Sequence, residues 1–312
     1  MAALEPILYL TRDEVRGLLP GWGTQIDLVA ATYRSMAAGH VELPPKPGIH
    51  PRQDAFIHAM PAFLADTDVA AIKWVAGYPS NKALGLPYIN GLMIVNDART
   101  GMPIAIMDAA EITAARTAAA SGACIRHWAP AGWKRAAIIG CGEQGRFHAE
   151  MIAALHPDAE LSVYDPDPDR MAAMPVPVTP HGSVRDAVAG ADVVVTLAPI
   201  VQPPAPTLQR SWLGDRFLAL PADFNASFKP DVSADADLFL ADDIGQYRYY
   251  QGQGQFGGWG VPERSAGQEL DTPNTADRVV CCNLGVGALD AAFAGAVLQA
   301  ATGTEVGIRL PV

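Results

Sequence analysis

The stretch Ala136-Ala137-Ile138-Ile139-Gly140-Cys141-Gly142-Glu143-Gln144-Gly145 constrains what this chain can fold into more than any other. An apolar run of strand length stops at a G-x-G-x-x-G turn, and Arg146 to Leu155 follows with the composition of a helix. A second short strand, Leu161 to Tyr164, ends at Asp165. Strand, glycine turn, helix, strand and an acid about twenty residues on is the context that gives a dinucleotide fingerprint its meaning. Gly140 permits the tight turn, Gly142 lets backbone approach a pyrophosphate, and Gly145 lets helix and strand pack closely. The helix start at Glu143-Gln144 offers N–H groups to the phosphates. The expectation is a bound nicotinamide or flavin dinucleotide held by Gly140, Gly142, Glu143, Gln144, Gly145 and Asp165.

Asp165 also bears on which dinucleotide. A carboxylate at this place accepts hydrogen bonds from both ribose hydroxyls of NAD and repels a 2′-phosphate. Asp167 and Asp169 add negative charge, which Arg170 partly offsets, so NAD is favoured over NADP. The plainer alternative is that Asp165-Pro166-Asp167-Pro168 merely makes a turn; the strand before it argues against this. FAD stays open, although no second flavin-type segment is visible.

A chain of 312 residues is long enough for two domains, each with its own core. Half of it is hydrophobic and only 18% is charged, which suits a compact enzyme and not a disordered chain. The formal charge of −11 disfavours nucleic acid or an anionic membrane as partner. Met1 to Leu10 carries Glu5 and lacks a basic leader, and the apolar run Ala291 to Gly303 is too short to span a bilayer. Cys124, Cys141, Cys281 and Cys282 show no metal-ligand spacing, and the seven histidines form no ligand pair. Reduced thiols, no metal site and a cytoplasmic location are expected.

The pattern changes along the chain. A helix is expected over Ile26 to Ala38, ended by Gly39, then a Pro-rich extended stretch from Val41 to Pro51. Strand candidates follow at Ala55 to Met60, Val69 to Val75, Tyr88 to Asn96 and Pro103 to Asp108, and an Ala-rich helix at Glu111 to Arg126. From Lys134 onward strand and helix alternate, with continuous apolar strands at Ala136–Ile139, Leu161–Tyr164, Val193–Leu197, Phe217–Leu220 and Leu238–Ala241. The aromatic, Gly- and Gln-rich segment Tyr250 to Gly260 reads as a loop, either a lid or an ordered surface excursion. After Val279–Cys281, a last helix over Gly285 to Ala301 is expected to cross back to the N-terminal part. The fold class is therefore α/β: a Rossmann-type doubly wound sheet plus a strand-rich α+β domain.

A nucleotide domain supplies only half of a site, and several bases in the N-terminal part keep odd company. Lys73 lies inside the strand-like run Ala70-Ala71-Ile72-Lys73-Trp74-Val75, Lys46 among prolines, and Arg116 among alanines. A buried cation is costly unless paired, and three of them together suit a carboxylate substrate, with Arg116 able to fork onto it. Each is otherwise an ordinary snorkelling base; Arg52 is a weaker fourth candidate. Asp223 follows a strand of the nucleotide domain, where ligands bind, and is placed to meet an amine or shuttle a proton. An Asx-turn or helix cap is the competing role.

A series of motifs then fits one family. Pro44-Pro45-Lys46, Met60-Pro61-Ala62, Ala71-Ile72-Lys73, Asp97-Ala98-Arg99-Thr100-Gly101-Met102-Pro103, Thr113-Ala114-Ala115-Arg116-Thr117-Ala118-Ala119, the glycine fingerprint and Ala222-Asp223 occur in order. On these the chain resembles the ornithine cyclodeaminase/mu-crystallin family over nearly its whole length. The resemblance implies a substrate-binding and dimerisation domain from residues 1–120 with 284–312, and a Rossmann domain from 121–283. It implies that Lys46, Lys73 and Arg116 hold a substrate carboxylate, that Asp223 and Lys73 are catalytic, and that Arg116, Thr117 and Thr196 also meet the cofactor. It further implies NAD-dependent conversion of ornithine, or a similar amino acid, to proline and ammonia by a homodimer. A ketimine reductase, an alanine-dehydrogenase-like or opine-type dehydrogenase, and a non-enzymatic NAD(P)H binder are the alternatives. The chain also departs from the pattern. Ornithine cyclodeaminases usually carry Arg at the place of Lys46, a cofactor-contacting Thr is replaced within Tyr88-Ile89-Asn90, and Asn225-Ala226-Ser227 intervenes where Gly-Lys follows the acid.

Overall fold

The computed structural model describes residues 5–200 and 203–311. It divides into two compact units, one running up to Arg116 and resuming at Val286, the other spanning Thr117–Gly285.

The second unit is built on an eight-stranded, all-parallel sheet. In spatial order its strands are Thr179–Pro180, Glu160–Tyr164, Arg135–Ile139, Val193–Thr196, Phe217–Pro221, Arg278–Cys282, Leu238–Ala241 and Arg264–Ser265. The central strands are buried on both faces, which is why they are continuously apolar and do not alternate. From Arg135–Ile139 the chain first builds outward through Glu160–Tyr164, then returns to place Val193–Thr196 on the other side. That reversal is a topological switch point, the place in such sheets where a crevice opens beyond the carboxyl ends of the strands.

The first unit carries a mixed sheet of eight strands, with Ile308–Leu310, Ile7–Leu10, Pro103–Asp108, Ile89–Asp97, Val69–Gly77, Phe56–Leu64 and Val41–Glu42 in sequence across it. Gly48–Ile49 pairs with Phe56–Leu64 as well. The long central strands alternate in burial, with Ala71, Lys73 and Val75 on the covered face. The helix Gly287–Ala301 packs on Phe56–Leu64 and Val69–Gly77. Trp74 and Leu92 lie on the other face, 49% and 44% exposed.

Three sequence expectations change. The helix expected from Ile26 starts at Trp22. Ile7–Leu10 and the short helix Arg12–Leu18 were not expected, because four and seven residues are too few for a readable period. The helix has a capping box, Thr11 with Glu14. The segment Tyr250 to Gly260 is in part a surface excursion, with Gly252, Gln253, Gly254, Gly257, Gly258 and Gly260 exposed, but it begins as helix and its aromatics turn inward. Tyr250 to Gly252 close the helix Ile244–Gly252, and beyond it Phe256 and Trp259 are buried among Tyr247, Phe224 and Phe239. Phe256 and Trp259 belong to the core, and half-buried Tyr250 packs against it.

Candidate functional site

The glycine turn has the geometry a dinucleotide needs. Gly140 has φ of +105°, which a side chain would strain, and a Cβ on Gly145 would lie 2.2 Å from the Gly140 carbonyl oxygen. A Cβ on Gly142 would instead meet nothing nearer than Arg170 Nη1 at 3.9 Å, so this face of the turn stands open. Gly142 is also the N-cap of the thirteen-residue helix Glu143–Leu155, with no side chain capping it. Open backbone at a helix N-terminus suits a pyrophosphate. Asp165 is buried and tied to the turn: one carboxylate oxygen accepts from the Cys141 amide at 2.8 Å, the other from the Asp167 amide at 2.9 Å. Arg170 Nη1 stands 4.0 Å from Asp165. Behind the turn, buried His148 is pushed down to about 4 by desolvation and is neutral. Its Nδ1–H donates to the Gln144 carbonyl at 2.7 Å, and its Nε2 accepts from the Ser121 hydroxyl at 2.9 Å.

Asp223 stands just past the strand Phe217–Pro221, 1% exposed. The Thr196 hydroxyl donates to one carboxylate oxygen at 2.7 Å. The Ser227 hydroxyl at 2.6 Å and the Ala198 amide at 3.1 Å donate to the other. Among the described residues no base forms an ion pair with it. Burial therefore wins over the hydrogen bonds and pushes the carboxyl up to about 6. Phe224 next to it adopts φ of +62° and stacks with Phe256, which fixes the turn. Thr196, expected at the cofactor, has its hydroxyl committed to Asp223.

In the first unit Lys73 and Arg116 converge on Asp290. Lys73 Nζ lies 2.8 Å from one carboxylate oxygen and Arg116 Nε 2.9 Å from the other, with all three residues buried. Thr113 Oγ1 accepts from Lys73 at 3.2 Å. Burial, with Arg116 and Lys46 as neighbouring positive charges, brings Lys73 down to about 7 in spite of Asp290. Burial acts to raise Asp290, but Arg116 and Lys73 together hold it below its ordinary value. Lys46 is half-buried and acts electrostatically on both Lys73 and His58. Arg52 is exposed and donates to the Pro51 carbonyl, so it takes no part in this cluster.

The family model of the ornithine cyclodeaminase/mu-crystallin family matches residues 8–252. The chain belongs to that family. The nodulation efficiency protein NfeD of Rhizobium meliloti is 34% identical, with 96% of each chain covered. An alanine dehydrogenase of Archaeoglobus fulgidus is 35% identical over 51% of this chain and 48% of its own. The structure of the Thermococcus litoralis Δ1-pyrroline-2-carboxylate reductase, in complex with NADH and L-proline, superposes with a TM-score of 0.84. At 21% identity, covering 97% of this chain and 100% of that one, it speaks for the fold.

Within this family member, sequence reasoning picked out Lys73 and Arg116 but not the acid that joins them. Asp290 is the sole charged residue in the apolar helix Gly287–Ala301, and that isolation was the available signal. Ser227 and Ala198, which complete the setting of Asp223, left no sequence signal. Chemically, the first unit offers a buried cluster in which Arg116 and Lys73, the latter near 7, face Asp290, and the second offers an acid near neutrality beside an open nucleotide cradle.

Proposed function

We propose that this protein is a cytoplasmic, homodimeric, NAD-dependent enzyme acting at the α-carbon of an amino acid or its imine. The observation that carries this reading is the buried cluster: Arg116 and Lys73, the latter brought down to about 7, face Asp290 in a desolvated site. An anion arriving there holds Lys73 in its charged form, and an α-carboxylate is the anion such a substrate brings. Lys46, Lys73 and Arg116 hold that carboxylate. Gly140, Gly142, Glu143, Gln144, Gly145 and Asp165, with Arg116 and Thr117, hold the cofactor, and the Asp165 carboxylate favours NAD over NADP. Bound NAD supplies the acceptor and donor of hydride. Asp223 takes or returns the proton at the substrate amine, for which a carboxyl near 6 is well matched. Exposed Trp74 and Leu92 on the outer face of the first unit's sheet support dimerisation through that face.

The cyclodeaminase cycle is the fullest form of this chemistry. Ornithine oxidised at Cα becomes a 2-imino acid, its δ-amine attacks that carbon, ammonia leaves, and reduction of the cyclic imine gives proline with no net redox change. Imine reduction alone uses the same groups and consumes reduced cofactor stoichiometrically. The alanine dehydrogenase relative favours keeping this second form. Near-ultraviolet absorbance of the nicotinamide, followed with amino acids plus NAD⁺ and with imines plus NADH, separates the two. Proline without net absorbance change supports the cycle; steady consumption supports the reductase; NADH binding without turnover of any amino or imino acid overturns both.

A further inference from the structure

Behind the glycine turn, a buried file of polar side chains leads to the backbone assigned to the cofactor's phosphates. It starts at Asn283, just past the strand Arg278–Cys282, whose Nδ2 donates to the Ser121 hydroxyl at 3.4 Å. Ser121 lies in the helix Ala109–Trp128, 2.9 Å from His148 Nε2. His148 follows Gln144 by one turn in the helix Glu143–Leu155, and its Nδ1 stands 2.7 Å from the Gln144 carbonyl. Asn283 is 4% exposed, and Ser121 and His148 are 0% exposed.

The direction of each bond follows from its partners. A carbonyl only accepts, so His148 Nδ1 carries the proton. Burial keeps the ring neutral, so Nε2 is bare and accepts from Ser121. The serine proton is spent on the ring, which leaves the hydroxyl's lone pairs to the Asn283 amide. Asn283 Oδ1 faces the Cys124 thiol at 3.7 Å, in keeping with Nδ2 toward the serine. Three donors therefore point the same way and end on the Gln144 carbonyl. Donors in series polarise one another in a dry interior.

That carbonyl shares a peptide unit with the Gly145 amide. The first backbone bond of the helix runs from Arg146 to Gly142, so the Gly145 amide comes before it and has no carbonyl inside the helix to meet. It belongs to the first turn, the end that faces a phosphate. Drawing electron density toward the carbonyl oxygen strengthens the amide behind it as a donor. The same bond pins a turn that has no side-chain cap of its own. Packing alone does not explain the file, because apolar side chains of the same shape would fill the space without burying three polar groups.

We infer that His148, held by Ser121 and Asn283, is a positioning residue that orders and polarises the amides of the glycine turn for the pyrophosphate of the dinucleotide. This rests on the reading of that turn as the cofactor's phosphate site.

The test uses the full chain and measures binding separately from turnover. Affinity for NADH is read by fluorescence, and affinity for ADP-ribose and adenosine by displacement of NADH. His148→Phe keeps a ring and removes both nitrogens; it is expected to weaken NADH and ADP-ribose about 5- to 10-fold and to leave adenosine, which has no phosphate, within about 2-fold. His148→Asn keeps a donor at the place of Nδ1 and is expected to restore most of that affinity. Ser121→Ala leaves the ring without its donor and is expected to weaken NADH and ADP-ribose about 3-fold with adenosine spared. It carries the test if His148→Phe does not fold. Loss of adenosine in step with ADP-ribose means a distorted pocket and overturns the inference. So does undiminished ADP-ribose binding in a folded His148→Phe, or an asparagine variant no better than the phenylalanine one. Phosphate-selective loss in a protein that turns over no amino or imino acid supports the relay and overturns the oxidoreductase. A parent chain that binds neither NADH nor ADP-ribose overturns the relay together with the cofactor site.

Discussion

Two aspartates of this chain are equally buried and differ in everything else. Asp290, 0% exposed, lies between a lysine and an arginine and is held charged. Asp223, 1% exposed, is met by two hydroxyls and one amide, all uncharged, and its carboxyl rises to about 6. Burial sets the same penalty on both, so the partners decide which state wins. Cations fix a charge; neutral donors only soften its cost and leave the proton within reach near neutral pH. The first unit thus owns a permanent counter-ion, and the second an acid able to move a proton.

The sharpest way to break this contrast is to remove the charge that is meant to be permanent. Asp290→Asn leaves Lys73 and Arg116 desolvated against one another, and loss of one member of a buried ionic group costs about 3–5 kcal/mol. The denaturant midpoint is expected to fall accordingly, and Lys73 to be driven toward its neutral form. If Asp290→Asn unfolds no more easily than the parent, Asp290 is not the counter-ion described here.

Asp223→Asn is expected to do the reverse, sparing the fold and stopping the chemistry. A missing proton acceptor typically costs about 10²-fold or more in kcat, whereas NADH binding, measured by fluorescence, should stay. The pH dependence of stability has a defined sign. Asp223 binds its proton more tightly folded than unfolded, about 6 against 3.8, so its contribution favours folding below about 4 and is lost as pH rises through about 6. Above that range the charged, buried parent bears a penalty the asparagine variant lacks, and the variant is expected to gain about 3 kcal/mol relative to it at pH 8. Below pH 4 the gain should vanish. A variant destabilised at pH 8 would mean that the carboxylate charge supports the fold.

How much of this could be read from the chain follows from where each signal resides. The nucleotide half was legible because its information is local: an apolar run, three glycines at fixed spacing and an acid at the next strand's end all lie within Ala136–Asp165. Lys73 was legible because a charge inside a strand-like apolar run contradicts its neighbours. Asp290 was not, since its partner Arg116 lies 174 positions away and only the tertiary fold brings them together. The inward turn of the aromatics in Tyr250 to Gly260 was hidden for a related reason. Glycines mark irregular backbone, but they do not tell whether the intervening Phe256 and Trp259 face solvent or core. The resemblance to a family supplied candidate roles, yet the hydroxyls that poise Asp223, on Thr196 and Ser227, are visible only in coordinates.

The smallest expected effect probes those hydroxyls directly. Thr196 is fully buried and its hydroxyl donates to Asp223 at 2.7 Å, so Thr196→Val keeps the shape and removes one of three donors. The charged form of Asp223 loses support that burial had already made scarce, and its carboxyl should climb by roughly half to one unit. In the oxidative direction, where Asp223 must accept a proton, the rising limb of the rate profile near pH 6 should move up by that amount, with the plateau little changed. Thr113→Val in the other unit removes the hydroxyl that accepts from Lys73, and it provides the control: Asp290 still holds that lysine at 2.8 Å, so the same limb should stay in place. A limb that moves in both variants, or in neither, would show that neutral donors do not set the charge of Asp223 and would erase the distinction between the two acids.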